Sequence, residues 1–140
     1  MERSVTAPSV IDTRDGFIEV GDRMFRDEHR IGAAPLSVVL AKSSNVGMAM
    51  IALSLPPRRI YDTLDGFGFG RVTGSGFPGE SAGVLDNYSR WRAVDIATMS
   101  HGYHLAITPL QLAQAYATLG ALGVRHPVSL ERVDAPVAGE

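Results

Sequence analysis

The run from Pro35 to Pro57 constrains this chain more than any other stretch. It is apolar and helix-forming except at Ser43-Ser44-Asn45, and Pro56-Pro57 stops it. Pro35-Leu36-Ser37-Val38-Val39-Leu40-Ala41-Lys42 reads as a short helix, with proline in the first turn and the basic residue in the last, where it suits the helix dipole. Asn45 is a good N-cap for a second helix from Val46 to Leu55, in which Val46, Met50, Ile51 and Leu53 fit packing on most sides. Ser43-Ser44-Asn45 is therefore expected in a tight connection between two apolar helices.

Elements on either side follow from local chemistry. Phe17 to Phe25 places β-formers around Gly21-Asp22, and a glycine-first two-residue loop suits a type II′ hairpin. A third helix is predicted from Pro57 to about Gly66, with Ile60, Tyr61 and Leu64 on one face. Gly66, Gly68 and Gly70 break it, and residues 66 to 90, rich in glycine, read as a long irregular surface segment. Weaker helical spacing spans Trp91 to Ser100. Thr108-Pro109-Leu110-Gln111 combines a threonine N-cap, proline at the first helical position and glutamine at the third, a capping box ahead of Leu112, Ala113, Tyr116 and Leu119. Pro127 to Val133 alternates as a strand would. The fold class expected is mainly α with a small N-terminal β-hairpin.

Composition removes several function classes. With 45% hydrophobic and 20% charged residues, the 140-residue chain has the makeup of one globular domain rather than a disordered segment. Thirteen basic against 15 acidic residues leave no strong positive field, so nucleic acid is not an expected partner. The absence of cysteine excludes disulfides, thiolate nucleophiles and zinc-thiolate sites. Lys42 is the only lysine, and so the only candidate for lysine chemistry. No stretch approaches 18 unbroken apolar residues and the first residues lack an apolar core behind a basic start, so neither a membrane span nor a signal peptide is expected within this chain.

Read from the residues alone, Ser43 and Asn45 have two meanings. They can be caps satisfying orphan N–H groups between helices. Alternatively, a hydroxyl and a carboxamide two residues apart can leave a tight turn in one direction, one relaying a proton and the other holding a substrate amide. His101 and His104 form an H-x-x-H pair, but no third ligand stands at recognised spacing and Gly102 opposes a regular helix, so no metal site is expected. Gly66-Phe67-Gly68-Phe69-Gly70 lacks the lysine and flanking elements of a phosphate loop and reads as a helix terminus with two anchoring aromatics. Asp22/Asp27 and Asp62/Asp65 are expected on solvated surface.

Three stretches, in order, resemble the penicillin-binding proteins, specifically the division-specific class B peptidoglycan transpeptidases. They are Lys42-Ser43-Ser44-Asn45-Val46-Gly47-Met48; Gly66 to Gly70 leading into Gly76-Phe77-Pro78-Gly79-Glu80-Ser81-Ala82-Gly83; and Ser100-His101-Gly102-Tyr103-His104-Leu105 through Thr108-Pro109-Leu110-Gln111-Leu112-Ala113. The exit from Arg132 to Glu140 also looks like the proteobacterial division enzymes. The resemblance implies the helical part of the α+β penicillin-binding protein and β-lactamase-like transpeptidase fold. It implies that Ser43 and Asn45 are the first and third positions of the S-x-N motif, catalytic in the family: the serine relays a proton between the catalytic lysine and the leaving group, and the asparagine bonds the acyl-amide side of substrate or β-lactam. Ser44, Tyr103 and His104 are the implied substrate-binding neighbours. The family usually has glycine where His104 stands, so histidine there either takes φ below zero or brings an imidazole that the family lacks.

Two motifs of the family are missing. No serine precedes a lysine by three, because Val39 holds that place before Lys42, and Lys42 is followed by Ser43-Ser44 rather than by the rest of K-T-G. The resemblance thus implies an internal piece of a transpeptidase domain whose nucleophile and K-T-G strand lie outside it. Loss of a nucleophile costs orders of magnitude in rate, so the chain alone is predicted inactive. The implied ligand of the parent is a peptidoglycan stem peptide or a β-lactam, the implied partners are cell-division proteins, and the implied place is the periplasmic face of the inner membrane. No cofactor is expected. The rival readings are a non-catalytic helical module that binds a division partner, and a β-lactam sensor or hydrolase on the same fold. Removed from flanking polypeptide, Leu40, Ile51, Leu64 and Leu112 are expected to present apolar faces to water.

Overall fold

The computed structural model describes residues 9–132 and 138–139. They gather into two compact units, each built from separate stretches of sequence: one from residues 9–60 and 88–104, the other from 61–87, 105–132 and 138–139.

In the first unit, β2 (Phe17–Val20) and β3 (Arg23–Arg26) form the expected hairpin, with Val20 opposite Arg23. Gly21 has φ +62° and Asp22 is not in the left-handed region, as a type II′ loop requires. Alternation along the strands turns Ile18, Val20 and Phe25 inward and leaves Phe17 exposed. Against that face pack α2 (Asn45–Leu53) and α4 (Ala93–Met99). The core is Val20, Phe25, Ala49 and Ala97, with Ile18, Leu53 and Val94 around it. Alanine at 49 and 97 has no bulk to hold the helices off the hairpin, and burying each larger side chain contributes about 1.5–3 kcal/mol. Upstream, β1 (Val10–Asp12) pairs antiparallel with β4 (Ala33–Pro35), a pairing that strands this short did not announce. Thr13 secures it, donating from both N–H and hydroxyl to the Gly32 carbonyl. This pair delivers the chain into α1 (Leu36–Ala41), so Pro35 is the N-cap and not the first turn, and Lys42 is the C-cap.

The chain then passes along α3 (Pro57–Gly66), as expected, with Ile60, Tyr61 and Leu64 half-buried. Gly68, at φ +88°, follows it, and Phe67 and Phe69 are half-buried anchors. Asp65, expected on open surface, is instead half-buried and paired with Arg71, whose Nε lies 2.7 Å from Oδ1. A short 3-10 turn, Tyr88–Arg90, precedes α4. Asp95 starts α4 by accepting from the Arg92 backbone N–H at 2.9 Å and from the Arg92 guanidinium. Those hydrogen bonds lower the pKa of Asp95 below the ordinary aspartate value.

The second unit is organised by α5 (Pro109–Gly120). Its capping box is formed as the sequence implies: Gln111 N–H donates to Thr108 Oγ1 at 3.1 Å, and Thr108 N–H to Gln111 Oε1 at 2.8 Å. Gln111 does more than cap. Its fully buried amide donates to the carbonyls of Arg71 at 2.7 Å and Ala82 at 2.8 Å, strapping the irregular segment onto the helix. At Gly83, φ is +66° and a Cβ would stand 2.3 Å from the Ala106 carbonyl oxygen, so only glycine allows the Val84–Ala106 bridge to close.

The buried face of α5 is largely polar. Leu112, Tyr116 and Leu119 are exposed, whereas Gln111, Gln114, Ala115 and Thr118 are buried. The polar residues turn inward because each finds a backbone acceptor: Gln114 Nε2 donates to the His126 carbonyl, and Thr118 to the Gln114 carbonyl. Of the four side chains expected to present apolar faces to water, Leu40 and Leu112 are exposed, while Ile51 and Leu64 are half-buried. The strand predicted from Pro127 does not form over residues 127–132, and Val133 lies outside the described residues, as do residues 134–137 and 140 of the exit stretch.

Replacing Gln111 by methionine keeps the bulk but removes the acceptor of Thr108 N–H and the two donors to the Arg71 and Ala82 carbonyls. The loss expected is about 3 kcal/mol in urea unfolding, against about 1 kcal/mol for Thr108→Ala, which removes the cap alone. Equal losses would show that Gln111 only caps.

Candidate active site

Ser43-Ser44-Asn45 joins α1 to α2 without a free residue. Ser43 N–H donates to the Leu40 carbonyl at 3.0 Å and Ser44 N–H to the Val39 carbonyl at 2.9 Å, the pair of bonds of a Schellman motif. Such a motif needs a left-handed residue after the C-cap, and Ser43 fills that place at φ +51°. A side chain there costs about 1–2 kcal/mol that glycine would not. Ser44 is immediately the N-cap of α2, accepting from Gly47 N–H at 2.9 Å. The expectation that Asn45 caps this helix is thus corrected by one residue: Ser44 has the extended backbone of a cap, and Asn45 opens the helix itself. Gly47 is required next to them, since a Cβ would lie 2.6 Å from Val39 Cγ1.

The turn is pinned from the hairpin side. Asp27, just past β3, accepts from Ser44 Oγ at 2.7 Å and from Val46 N–H at 2.9 Å. Asn45 Nδ2 donates to the Arg26 carbonyl at 3.1 Å. A carbonyl can only accept, so the amide nitrogen must face Arg26, which leaves Oδ1 without a partner among the described residues. Asp27, read from sequence as surface, is a half-buried anchor. No local signal marks it, because its partners are 17 and 19 residues away.

Ser43 and Asn45 line one hollow of about 260 Å³, together with Val39, Leu40, Ser44, Met48, Ser100 and His101. Ser43 is exposed and its hydroxyl has no hydrogen bond among the described residues. Ser44 is different from its expected role. Its side chain is buried and its one proton is committed to Asp27, so it is structural in this chain and offers no free donor to a ligand.

Residues 100–104 divide between two places. His101 lines the hollow, its ring edge-on to Phe25 at 5.5 Å and to Tyr103 at 5.9 Å between centroids. Burial lowers its pKa below the ordinary histidine value. Sequence reading considered His101 only as half of a metal pair; among the described residues no three of His, Asp and Glu stand close enough to hold a metal ion. Tyr103 is exposed and stands behind the imidazole rather than in the hollow wall. His104, expected beside the substrate, is not brought to Ser43 and Asn45. It keeps φ at +67° and lines a separate hollow of about 290 Å³ with Asp22, Arg23, Arg92, Val94, Asp95 and Thr98, its Nδ1 3.9 Å from Asp95 Oδ1. The left-handed backbone and the buried carboxylate together account for that direction.

The turn can therefore present one unengaged hydroxyl and one carboxamide oxygen, on a rigid support, to a group entering the hollow. Residues 4–140 match the family described as penicillin binding protein transpeptidase domain. Over 115 residues the chain is 44% identical to "Peptidoglycan D,D-transpeptidase FtsI" of Escherichia coli (strain K12), 82% of this chain and 20% of that protein. It is 41% identical to "Probable peptidoglycan D,D-transpeptidase PenA" of Neisseria meningitidis over 81% of this chain and 20% of the relative. Its fold matches the TP domain of penicillin-binding protein 3 from Burkholderia pseudomallei with a TM-score of 0.90 at 33% identity, covering 97% of this chain and 42% of that one. The chain thus spans about a fifth of the length of these curated relatives.

Three substitutions test how the turn is built. Asp27→Ala strands the Ser44 hydroxyl and Val46 N–H and should cost about 1–3 kcal/mol, with amide exchange accelerated at Val46 and Gly47 first; unchanged exchange there would remove Asp27 from the support. Ser43→Gly should raise stability by about 1 kcal/mol in thermal unfolding, because glycine takes the left-handed cap without strain, whereas Ser43→Ala should be nearly neutral.

Proposed function

Because this chain belongs to the penicillin-binding protein transpeptidase domain family, we propose that it supplies the S-x-N part of a peptidoglycan D,D-transpeptidase that cross-links stem peptides in septal wall synthesis. The observation that carries this reading is the unengaged Ser43 hydroxyl, held on a strained cap beside Asn45 in one hollow. A purely structural connection would favour glycine at position 43, so the retained hydroxyl suits a chemical use.

In this reading a serine supplied by further polypeptide attacks the D-Ala-D-Ala carbonyl, forming an acyl-enzyme and releasing the terminal D-alanine. An amine of a second stem peptide then takes the acyl group. Ser43 can accept a proton at Oγ while giving its own, which fits a relay between a catalytic lysine and the departing amine. Asn45 keeps Oδ1 for an N–H of the acyl-amide side of substrate or β-lactam. Rigidity matters here because misplacement by about 1 Å costs about a hundredfold in rate, and Asp27 and Arg26 supply it.

The exposed apolar face of α5 supports a segment made to pack against more polypeptide. The likeness to a transpeptidase named FtsI supports division proteins as partners and the periplasmic face of the inner membrane as the site of action. Among the described residues no helix is long and apolar enough to cross a membrane.

With neither S-x-x-K nor K-T-G in its sequence, the chain should form no covalent adduct with fluorescent penicillin, read on a denaturing gel. It should still bind N-acetyl-D-Ala-D-Ala reversibly, shifting the Asn45 side-chain amide in NMR spectra. A covalent adduct would show that the nucleophile is here after all, and an unmoved Asn45 would sink the reading of the hollow.

A further inference from the structure

Ser100 fixes more about the hollow than its own position. Its hydroxyl proton goes to the Ala97 carbonyl at 2.7 Å, so towards His101 Nδ1, 3.4 Å away, Ser100 Oγ can offer only a lone pair. A proton on Nδ1 is the arrangement that makes this contact a hydrogen bond. Nδ1–H leaves Nε2 as the bare, accepting nitrogen of the ring, and Nε2 has no partner among the described residues. Phe25 and Tyr103 hold the ring from two directions, so its orientation is set by packing rather than by a ligand. Burial favours the neutral form, which is the one that has an accepting nitrogen.

We infer that His101 is a further ligand-contacting residue of the Ser43–Asn45 hollow, in which Nε2 accepts a hydrogen bond from an amide N–H of the bound peptide. Three side chains of the wall then carry unengaged polar groups among the described residues: the Ser43 hydroxyl, Asn45 Oδ1 with the second amide N–H, and His101 Nε2. Oδ1 and Nε2 can only accept, and Val39, Leu40 and Met48 are the apolar members of the lining. A lining of that kind selects an extended peptide that presents successive N–H donors, and discriminates against a ligand whose amide nitrogen is methylated, since an acceptor facing a methyl group loses its bond and gains a clash. The inference rests on the reading of the hollow as a peptide site.

Histidine-labelled chain separates the two. Two-bond proton–nitrogen correlations of His101 at neutral pH should show the Nδ1–H tautomer, and addition of N-acetyl-D-Ala-D-Ala should move Nε2 together with the Asn45 side-chain amide. His101→Phe, which keeps the ring packing, should bind the dipeptide about two- to tenfold more weakly, the loss of one hydrogen bond. An Nε2–H tautomer, or a shift of Asn45 with Nε2 unmoved and His101→Phe binding as the parent does, would overturn the role of His101 and leave the peptide site standing. Silence at both residues would overturn the peptide site and this inference with it.

Discussion

Asp27 is the group on which the rest of the site depends. One carboxylate just past β3 takes the hydroxyl of Ser44 and the Val46 N–H in the first turn of α2. An anion at a helix N-terminus faces unsatisfied donors and the positive end of the dipole, so the bond is favourable in charge and in geometry. Its effect is to tie α2 to the hairpin at the residue where α1 ends. Without that tie, two short helices would meet at a flexible serine-rich joint.

The tie also decides which atoms remain free. Ser44 spends its proton on Asp27, Asn45 spends one N–H on Arg26, and Ser100 spends its proton on Ala97. What is left over among the described residues is the Ser43 hydroxyl, the Asn45 carboxamide oxygen with its second N–H, and one nitrogen of His101. The strained backbone at Ser43 contributes to this, because a left-handed cap carries its side chain out of the helical hydrogen-bond network. His104, in the same conformation at φ +67°, is carried to the Arg92–Asp95 pair instead. Two left-handed residues in one unit therefore serve different surroundings.

Features legible in the sequence were those in which cause and effect are a few residues apart. Gly21 announces its own loop, Pro57 and Gly66 bracket α3, and Thr108-Pro109-Leu110-Gln111 announces a helix start that the structure builds as read. The Ser43-Ser44-Asn45 connection was legible as a place. Its internal assignment was not, since serine and asparagine are nearly equal as caps and the choice fell to Asp27, 17 residues upstream of Ser44. Gln111 was visible as a cap and invisible as the strap holding Arg71 and Ala82, 40 and 29 residues away. The same distance effect hid the inside of α5, where buried glutamines are held by backbone partners 12 to 40 residues away.

The order of residues by itself determined the local elements, the absence of thiol chemistry, the presence of S-x-N without its two companion motifs and, through them, the family. Tertiary structure alone decided that Ser44 is support while Ser43 is free, that His101 joins the hollow and His104 leaves it, and that Asp27 is an anchor. The reason is physical: a hydroxyl or imidazole is chemically available only if its proton and lone pairs are not already used, and what uses them comes from distant parts of the chain.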